Sequence, residues 1–244
     1  MANYYSCAAF ILFCGFHTIT YSDGNLADAI VEPIGSETIS IRGIITPATA
    51  EKFKSLLQPG IKTVLISSEG GVTESALDIA EKIQKRHLDI EIIDFCASSC
   101  ANYLFVAGEN KHIREGAIVG WHGGHSFKPF RPAVDSKERL KEKERLLLRE
   151  QLLYARAGTS IDLIVYSGLL TLGESLYGTI TREYTLWVPD INELRRLGVK
   201  NISGHTSMSN ASDIDSRLAK MGFSGQHSYV GPAYSYLPAF TSNY

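Results

Sequence analysis

The sequence lacks a surplus of basic residues. It has 24 Lys and Arg against 26 Asp and Glu, a formal net charge of −2. A protein that binds nucleic acid needs basic side chains to neutralise phosphates, so no nucleic-acid partner is expected. Charged residues make up 20% of the chain and hydrophobic residues 44%. This composition is enough for one sizeable core, and disorder through the middle of the chain is not expected.

A long apolar run is also missing. The apolar stretch at 7–16 is too short to span a bilayer and has about the length of the hydrophobic region of a signal peptide. Polar residues follow it at 18–25, although no Lys or Arg precedes it. We therefore expect residues 1–24 to be a signal peptide or an N-terminal apolar segment, with no other stable membrane span. Export predicts a periplasmic or secreted protein; a buried N-terminal strand in a cytoplasmic protein is the alternative.

Cysteine is scarce, and its placement is uneven. Cys7 and Cys14 lie in the N-terminal apolar stretch, while Cys96 and Cys100 lie four positions apart in the middle of the chain. In an oxidising compartment the second pair could form a disulfide, because helical spacing can bring two Cα atoms within bridging distance. Two small buried thiols are the alternative.

Strand and helix patterns alternate over residues 30–202. Strand patterns occur at 37–42, 62–67, 90–95, 117–121 and 184–188, and helical patterns at 47–57, 73–87, 100–106, 136–157, 159–172 and 189–197. This alternation predicts an α/β domain with repeated ββα and βαβ units. Residues 203–244 are rich in Ser, Gly and Tyr without periodicity, and we expect them to form a flexible tail.

Two serines lie where a predicted strand meets a predicted helix. A serine in this place has free backbone N–H groups beside it and lies at the positive end of the helix dipole. That environment suits a nucleophile whose attack creates an oxyanion. The alternative is that Ser98 or Ser99 only caps the helix.

Gly70-Gly71 and His122 each follow a predicted strand as well. Glycines at the carboxyl end of a strand allow close approach of a ligand, and ligands of open α/β sheets bind at that edge. His122 could reach the same edge as a general base. His125 lies three residues after His122, but no third ligand is evident at suitable spacing, so neither a metal nor a cofactor is expected.

Three segments in this order carry a resemblance to a known family: Ile66-Ser-Ser-Glu-Gly-Gly71, Ala97-Ser-Ser-Cys-Ala101 and Gly120-Trp-His-Gly-Gly124. They resemble the Clp protease family, within the Clp/crotonase superfamily. The resemblance implies a Clp/crotonase-like fold in which the 136–157 helix protrudes. It also implies a peptide or protein substrate and a homo-oligomer.

The same resemblance assigns roles to residues of this chain. Ser99 matches the nucleophile, with Ser98 as the alternative in a shifted register, and His122 matches the base. The backbone N–H groups of Gly71 and Cys100 match the donors of the oxyanion hole.

The third member of the catalytic triad departs from the family pattern. Tyr184 occupies the position of the family's aspartate, and Glu183 and Asp190 are the neighbouring candidates for orienting His122. The two cysteines beside the serines resemble those of predicted exported Clp-like proteins with a Cys-Ala-Ser-x-Cys turn. In such a protein a Cys96–Cys100 disulfide would stiffen the turn.

The expected function is that of a Clp-like serine hydrolase, a peptidase with a Ser-His pair and a backbone oxyanion hole. The missing aspartate keeps a second hypothesis open, a non-catalytic Clp-fold interaction or assembly protein. A crotonase-like acyl-thioester enzyme is the third, because that fold uses a similar oxyanion hole.

Overall fold

The computed structural model describes residues 28–127, 136–172, 184–204 and 210–233. The predicted signal peptide at 1–24 lies outside the described residues, so its assignment stays a prediction.

The described residues form two β-sheets. The strands are β1 (Ile30–Ile34), β2 (Thr38–Arg42), β3 (Thr63–Ser68), β4 (Asp89–Ala97), β5 (Lys111–Ile113), β6 (Ile118–Gly120), β7 (Leu186–Val188), β8 (Ile202–Gly204) and β9 (Ser228–Val230). Seven of them belong to one sheet with the order β1-β2-β3-β4-β5-β8, in which β6 also pairs with β4. All pairs in this sheet are parallel except β1 with β2. A two-stranded parallel sheet of β7 and β9 lies beside it.

Helices connect these strands. They are α1 (Pro47–Leu56), α2 (Thr73–Lys85), a π-helix (Cys100–Phe105), a short 3-10 helix (His125–Phe127), α3 (Lys137–Ala157), α4 (Asp162–Leu172), α5 (Ile191–Arg196) and α6 (Ala211–Lys220). The α/β class and the βαβ repeats predicted from the sequence are confirmed. In the described ranges, no helix has both the length and the apolar content that a bilayer crossing requires.

The start of α1 shows how local sequence sets these elements. The Thr46 hydroxyl accepts a hydrogen bond from the Thr49 N–H at 3.3 Å, and the Thr49 hydroxyl accepts one from the Thr46 N–H at 3.1 Å. This reciprocal capping satisfies two backbone donors that the first helical turn leaves open. Pro47 follows as the first helical residue, where it lacks only a donor that has no helical partner.

The order of the strands places the ends of β4 and β6 side by side. The first half of β4 pairs with β5 and its last residues pair with β6, so that Ala97 lies opposite Gly120. Because β4 and β6 are parallel, the residues that follow them leave the sheet at the same edge. The segment with Ser98 and Ser99 and the segment with His122 therefore begin next to each other.

The predicted flexible tail is wrong for the described residues beyond 203. Residues 202–204 form β8, and α6 buries Ile214 and Leu218 completely against a cluster that includes Phe95 and Ile118. β9 then pairs with β7. This segment is ordered because Ile214 and Leu218, four positions apart, lie on one helical face and can be buried together. The many polar neighbours obscured this pair in the sequence.

Replacing Ile214 with Ala tests whether α6 is an integral part of the fold. We expect the free energy of unfolding to fall by about 2–4 kcal/mol, because the change removes a fully buried side chain and leaves a cavity. Urea unfolding followed by circular dichroism measures it. The matched control is Ile30→Ala, on a side chain that is 63% exposed, with an expected loss below about 1 kcal/mol. Equal losses in the two variants would mean that α6 does not pack as described.

Candidate active site

The turn between β4 and the π-helix carries both serines. Ser98 has a positive φ of 56°, while Ser99 is helical with φ −62° and ψ −23°. A left-handed conformation costs a non-glycine residue roughly 1–2 kcal/mol, and such positions concentrate at functional sites. The helix that follows is wider than the α-helix expected from the sequence, and short π-helical segments are also frequent at functional sites.

A disulfide closes this turn. It joins Cys96, in the last part of β4, to Cys100, the first residue of the π-helix, with Cα atoms 5.4 Å apart. Both cysteines are fully buried. Since the bond spans Ala97, Ser98 and Ser99, it restricts the backbone at both serines. The predicted pairing is therefore present in the structure.

The Gly70-Gly71 loop packs directly against the turn. A Cβ atom on Gly70 would lie 2.7 Å from the Ala97 carbonyl oxygen and 2.9 Å from the Ser99 nitrogen. A Cβ atom on Gly71 would collide with the Ile45 carbonyl oxygen. Only glycine allows both approaches, and φ values of 95° and 149° add to that requirement.

Backbone hydrogen bonds hold the glycine loop in place. The Ile45 N–H donates to the Gly70 carbonyl and the Val72 N–H donates to the Ile45 carbonyl, each at 2.8 Å. The Ser99 hydroxyl donates to the Gly71 carbonyl at 3.2 Å. In the described part of the chain, neither the Gly71 N–H nor the Cys100 N–H donates to a backbone carbonyl.

Ser98, Ser99 and His122 line one cavity of about 180 Å³, together with Thr73, Asn102 and Tyr103. His122 is half-buried and follows Trp121, which is fully buried. The Trp121 N–H and carbonyl each form a 2.8 Å hydrogen bond with the backbone of Trp187 in β7. These bonds hold the end of β6 and so set where His122 enters the cavity.

The loop after His122 is held by the side chain of Glu150, which lies on α3 and is fully buried. One of its carboxylate oxygens accepts hydrogen bonds from the Tyr103 hydroxyl at 2.8 Å and the His125 N–H at 3.1 Å. The other oxygen accepts two from Ser126, from the N–H and from the hydroxyl, each at 2.6 Å. Four donors compensate the burial of this charge, and they join the π-helix, the loop and α3.

Tyr103 stays a hydrogen-bond donor in this arrangement. Burial, and then the neighbouring Glu150 carboxylate, raise the pKa of the Tyr103 hydroxyl well above its ordinary value. The hydroxyl is therefore protonated at neutral pH. Its proton remains available to the Glu150 carboxylate.

Asp190 and Glu183 are the two predicted candidates for orienting His122, and the structure describes only Asp190. Asp190 is exposed and caps α5, because its Oδ1 atom accepts hydrogen bonds from the Asn192 and Glu193 N–H groups, each at 2.8 Å. Asp190 is also not among the described residues that line the cavity with His122. The structure thus assigns Asp190 a capping role. Glu183 lies outside the described residues, so its role stays a prediction.

Sequence reasoning missed Glu150, because a single glutamate in the second half of a highly charged helix resembles an ordinary surface residue. A signal was nevertheless present. Glu150 lies four residues after Leu146 and three before Leu153, and both leucines are buried. A glutamate on the apolar stripe of a helix indicates a buried carboxylate that needs donors.

Comparisons with known proteins add structural likenesses at low identity. No protein-family model matches the chain, and no curated protein matches it. A ClpP1 mutant from Listeria monocytogenes is a similar solved structure, with 23% identity and a TM-score of 0.38 over 50% of this chain and 72% of that chain. A peptidase from Plasmodium falciparum has 14% identity and a TM-score of 0.41 over 50% of this chain and 77% of that chain.

Replacing Gly71 with Ala tests the close approach of the glycine loop to Ile45. We expect a loss of more than about 3 kcal/mol in the free energy of unfolding, because the added carbon meets backbone atoms that cannot move away cheaply. Gly35→Ala is the control. Gly35 also has a positive φ, of 68°, but nothing lies within 4 Å of the added carbon, so strain alone should cost about 1–2 kcal/mol. If both variants unfold at the same urea concentration, the steric argument at Gly71 is wrong.

Replacing Glu150 with Gln tests the buried carboxylate. The amide has only one acceptor oxygen, so donors from Tyr103, His125 or Ser126 lose their partner, and we expect a loss of about 2–3 kcal/mol in the free energy of unfolding. Chemical denaturation measures the difference. Glu144→Gln makes the same change at an exposed position of the same helix and should alter stability by less than about 0.5 kcal/mol. A Glu150 variant as stable as the Glu144 variant would contradict the assigned network.

Proposed function

We propose that the protein is a serine-type hydrolase that cleaves peptide bonds. The observation that carries the proposal is that Ser99 and His122, from neighbouring strand ends, line one cavity. The Gly70-Gly71 loop packs against the turn that carries Ser99. The proposal that the cleaved bond is a peptide bond comes from the resemblance of the three motifs to the Clp protease family.

In the proposed reaction, the Ser99 hydroxyl attacks the carbonyl carbon of the substrate and His122 accepts the hydroxyl proton. His122 then gives the proton to the leaving amine, and the acyl-enzyme is hydrolysed by water in a second round of the same proton transfers. In the free protein the Ser99 hydroxyl donates to the Gly71 carbonyl. Rotation about the Cα–Cβ bond of Ser99 must release this bond before attack.

The oxyanion of the tetrahedral intermediate is proposed to bind the N–H groups of Gly71 and Cys100. Cys100 begins the π-helix, so its N–H belongs to a first turn whose donors have no partner within the helix. The disulfide and the glycine contacts restrain both peptide groups before the substrate arrives. Such preorganised donors contribute most of the electrostatic stabilisation in acyl transfer.

Two further proposals concern the compartment and the oligomeric state of the protein. The buried disulfide supports an oxidising compartment, periplasmic or secreted. The exposed Leu148 and Leu152, four residues apart on α3, support a homo-oligomer, because exposed leucines on one helical face favour association.

The capping role of Asp190 favours a second candidate, a non-catalytic interaction or assembly protein of the same fold. Without an acid that orients the base, a triad loses activity, although a nucleophile, a base and an oxyanion hole retain part of it. Covalent labelling separates the two candidates.

Labelling with a fluorophosphonate probe tests the nucleophile. We expect the wild-type protein to be labelled on the peptide that contains Ser99, identified by mass spectrometry. Ser99→Ala should abolish labelling, because it removes the hydroxyl that is proposed to attack the probe. Ser98→Ala is the matched control and should retain labelling. Loss of labelling only in the Ser98 variant would assign the nucleophile to Ser98, and an unreactive wild-type protein would favour the non-catalytic candidate.

A further inference from the structure

A buried oxygen beside the two serines has no hydrogen-bond partner among the described residues. It is Oδ1 of Asn102, a residue of the π-helix that is only 3% exposed and lines the cavity with Ser99 and His122. An amide oxygen that is removed from water without a partner carries a free-energy penalty, so buried acceptors are almost always paired.

The orientation of the Asn102 amide is set by its other end. Nδ2 donates to the carbonyl of Gly123 at 2.8 Å, and the Gly123 N–H in turn donates to the Ser167 hydroxyl at 2.9 Å. Turning the amide over would place Oδ1 against the Gly123 carbonyl oxygen, acceptor against acceptor. The acceptor that receives no hydrogen bond from the described residues is therefore Oδ1, because the two ends of the amide cannot be exchanged.

The charges around the cavity restrict what could pair with this oxygen. No Asp, Glu, Lys or Arg is among the described residues that line it. The nearby Glu150 carboxylate already accepts four hydrogen bonds, one of them from Tyr103. A lysine or arginine side chain of a substrate would lose its hydration in this cavity without an opposite charge to compensate. A neutral donor needs only one acceptor.

The size of the cavity fits a whole side chain. Its volume of about 180 Å³ is several times the ~30 Å³ that one molecule occupies in liquid water. Because Ser99 lies on its wall, a group that occupies the cavity is attached close to the bond under attack.

We propose that Asn102 determines specificity by accepting a hydrogen bond from an uncharged side chain that carries a hydroxyl or primary amide. This side chain belongs to the residue whose carbonyl Ser99 attacks, so the inference rests on the proposed function. Ser, Thr, Asn and Gln side chains have the required chemistry. Their apolar counterparts leave Oδ1 unpaired, and sites of this kind discriminate strongly against analogues that lack the donor.

The test measures binding without turnover. In a Ser99→Ala protein, isothermal calorimetry compares the peptides acetyl-Ala-Ala-Gln and acetyl-Ala-Ala-Met, whose last side chains have nearly the same shape. We expect the Gln peptide to bind about tenfold more tightly, the effect of one neutral hydrogen bond in a buried site. Adding Asn102→Leu should bring the ratio of the two affinities close to one.

Three results would overturn the inference: equal affinities for the two peptides, no binding of either, or a preference that survives Asn102→Leu. If the Leu variant does not fold, Asn102→Ser withdraws the oxygen from the cavity with a smaller polar side chain, and the same ratio is measured. Fluorophosphonate labelling of the wild-type protein is read separately. Labelling without a Gln preference leaves the hydrolase proposal intact and removes only the role of Asn102. A Gln preference without labelling removes the hydrolase proposal and, with it, the role of Asn102 in choosing the attacked residue, and leaves only a binding site for the Gln side chain.

Discussion

The arrangement of the candidate site depends on one buried charge. The Glu150 carboxylate lies in the interior and is compensated by four hydrogen bonds from Tyr103, His125 and Ser126. Each donor that moved away would leave part of this buried charge uncompensated, at a cost in free energy. The π-helix that follows the serines and the loop that follows His122 are therefore held at fixed positions relative to α3 and to each other.

The serine turn is restrained from two further directions. The Cys96–Cys100 disulfide closes it along the chain, and the Gly70-Gly71 loop packs against it across the sheet. Together these contacts hold Ser98 in a strained backbone conformation. Strain of this kind persists only where the surroundings over-determine the backbone, and it is consistent with a site that is organised before a substrate binds.

Much of the fold could be predicted from local patterns, because long strands and helices have clear periodicity. The predicted strand at 62–67 and helix at 73–87 correspond to β3 and α2 within two residues at each end. The strand β1 and the three-residue strands β5, β8 and β9 were missed, and very short strands give little periodic signal. The helix α6 was missed because its polar residues obscured a buried pair. Among the site residues, the prediction named those at strand ends and missed Glu150 and Asn102, whose roles depend on partners far away in the sequence.

Local sequence was enough to predict the α/β alternation, the positions of Ser99, His122 and the paired glycines after their strands, and the spacing that allows the disulfide, because each is a property of neighbouring residues. The fold, by contrast, makes the ends of β4 and β6 neighbours, places Asp190 at a helix cap, and buries the Asn102 oxygen where no described residue donates to it. These properties arise from packing between segments that are distant in the chain. Whether a buried polar group has a hydrogen-bond partner cannot be predicted from its neighbours in sequence.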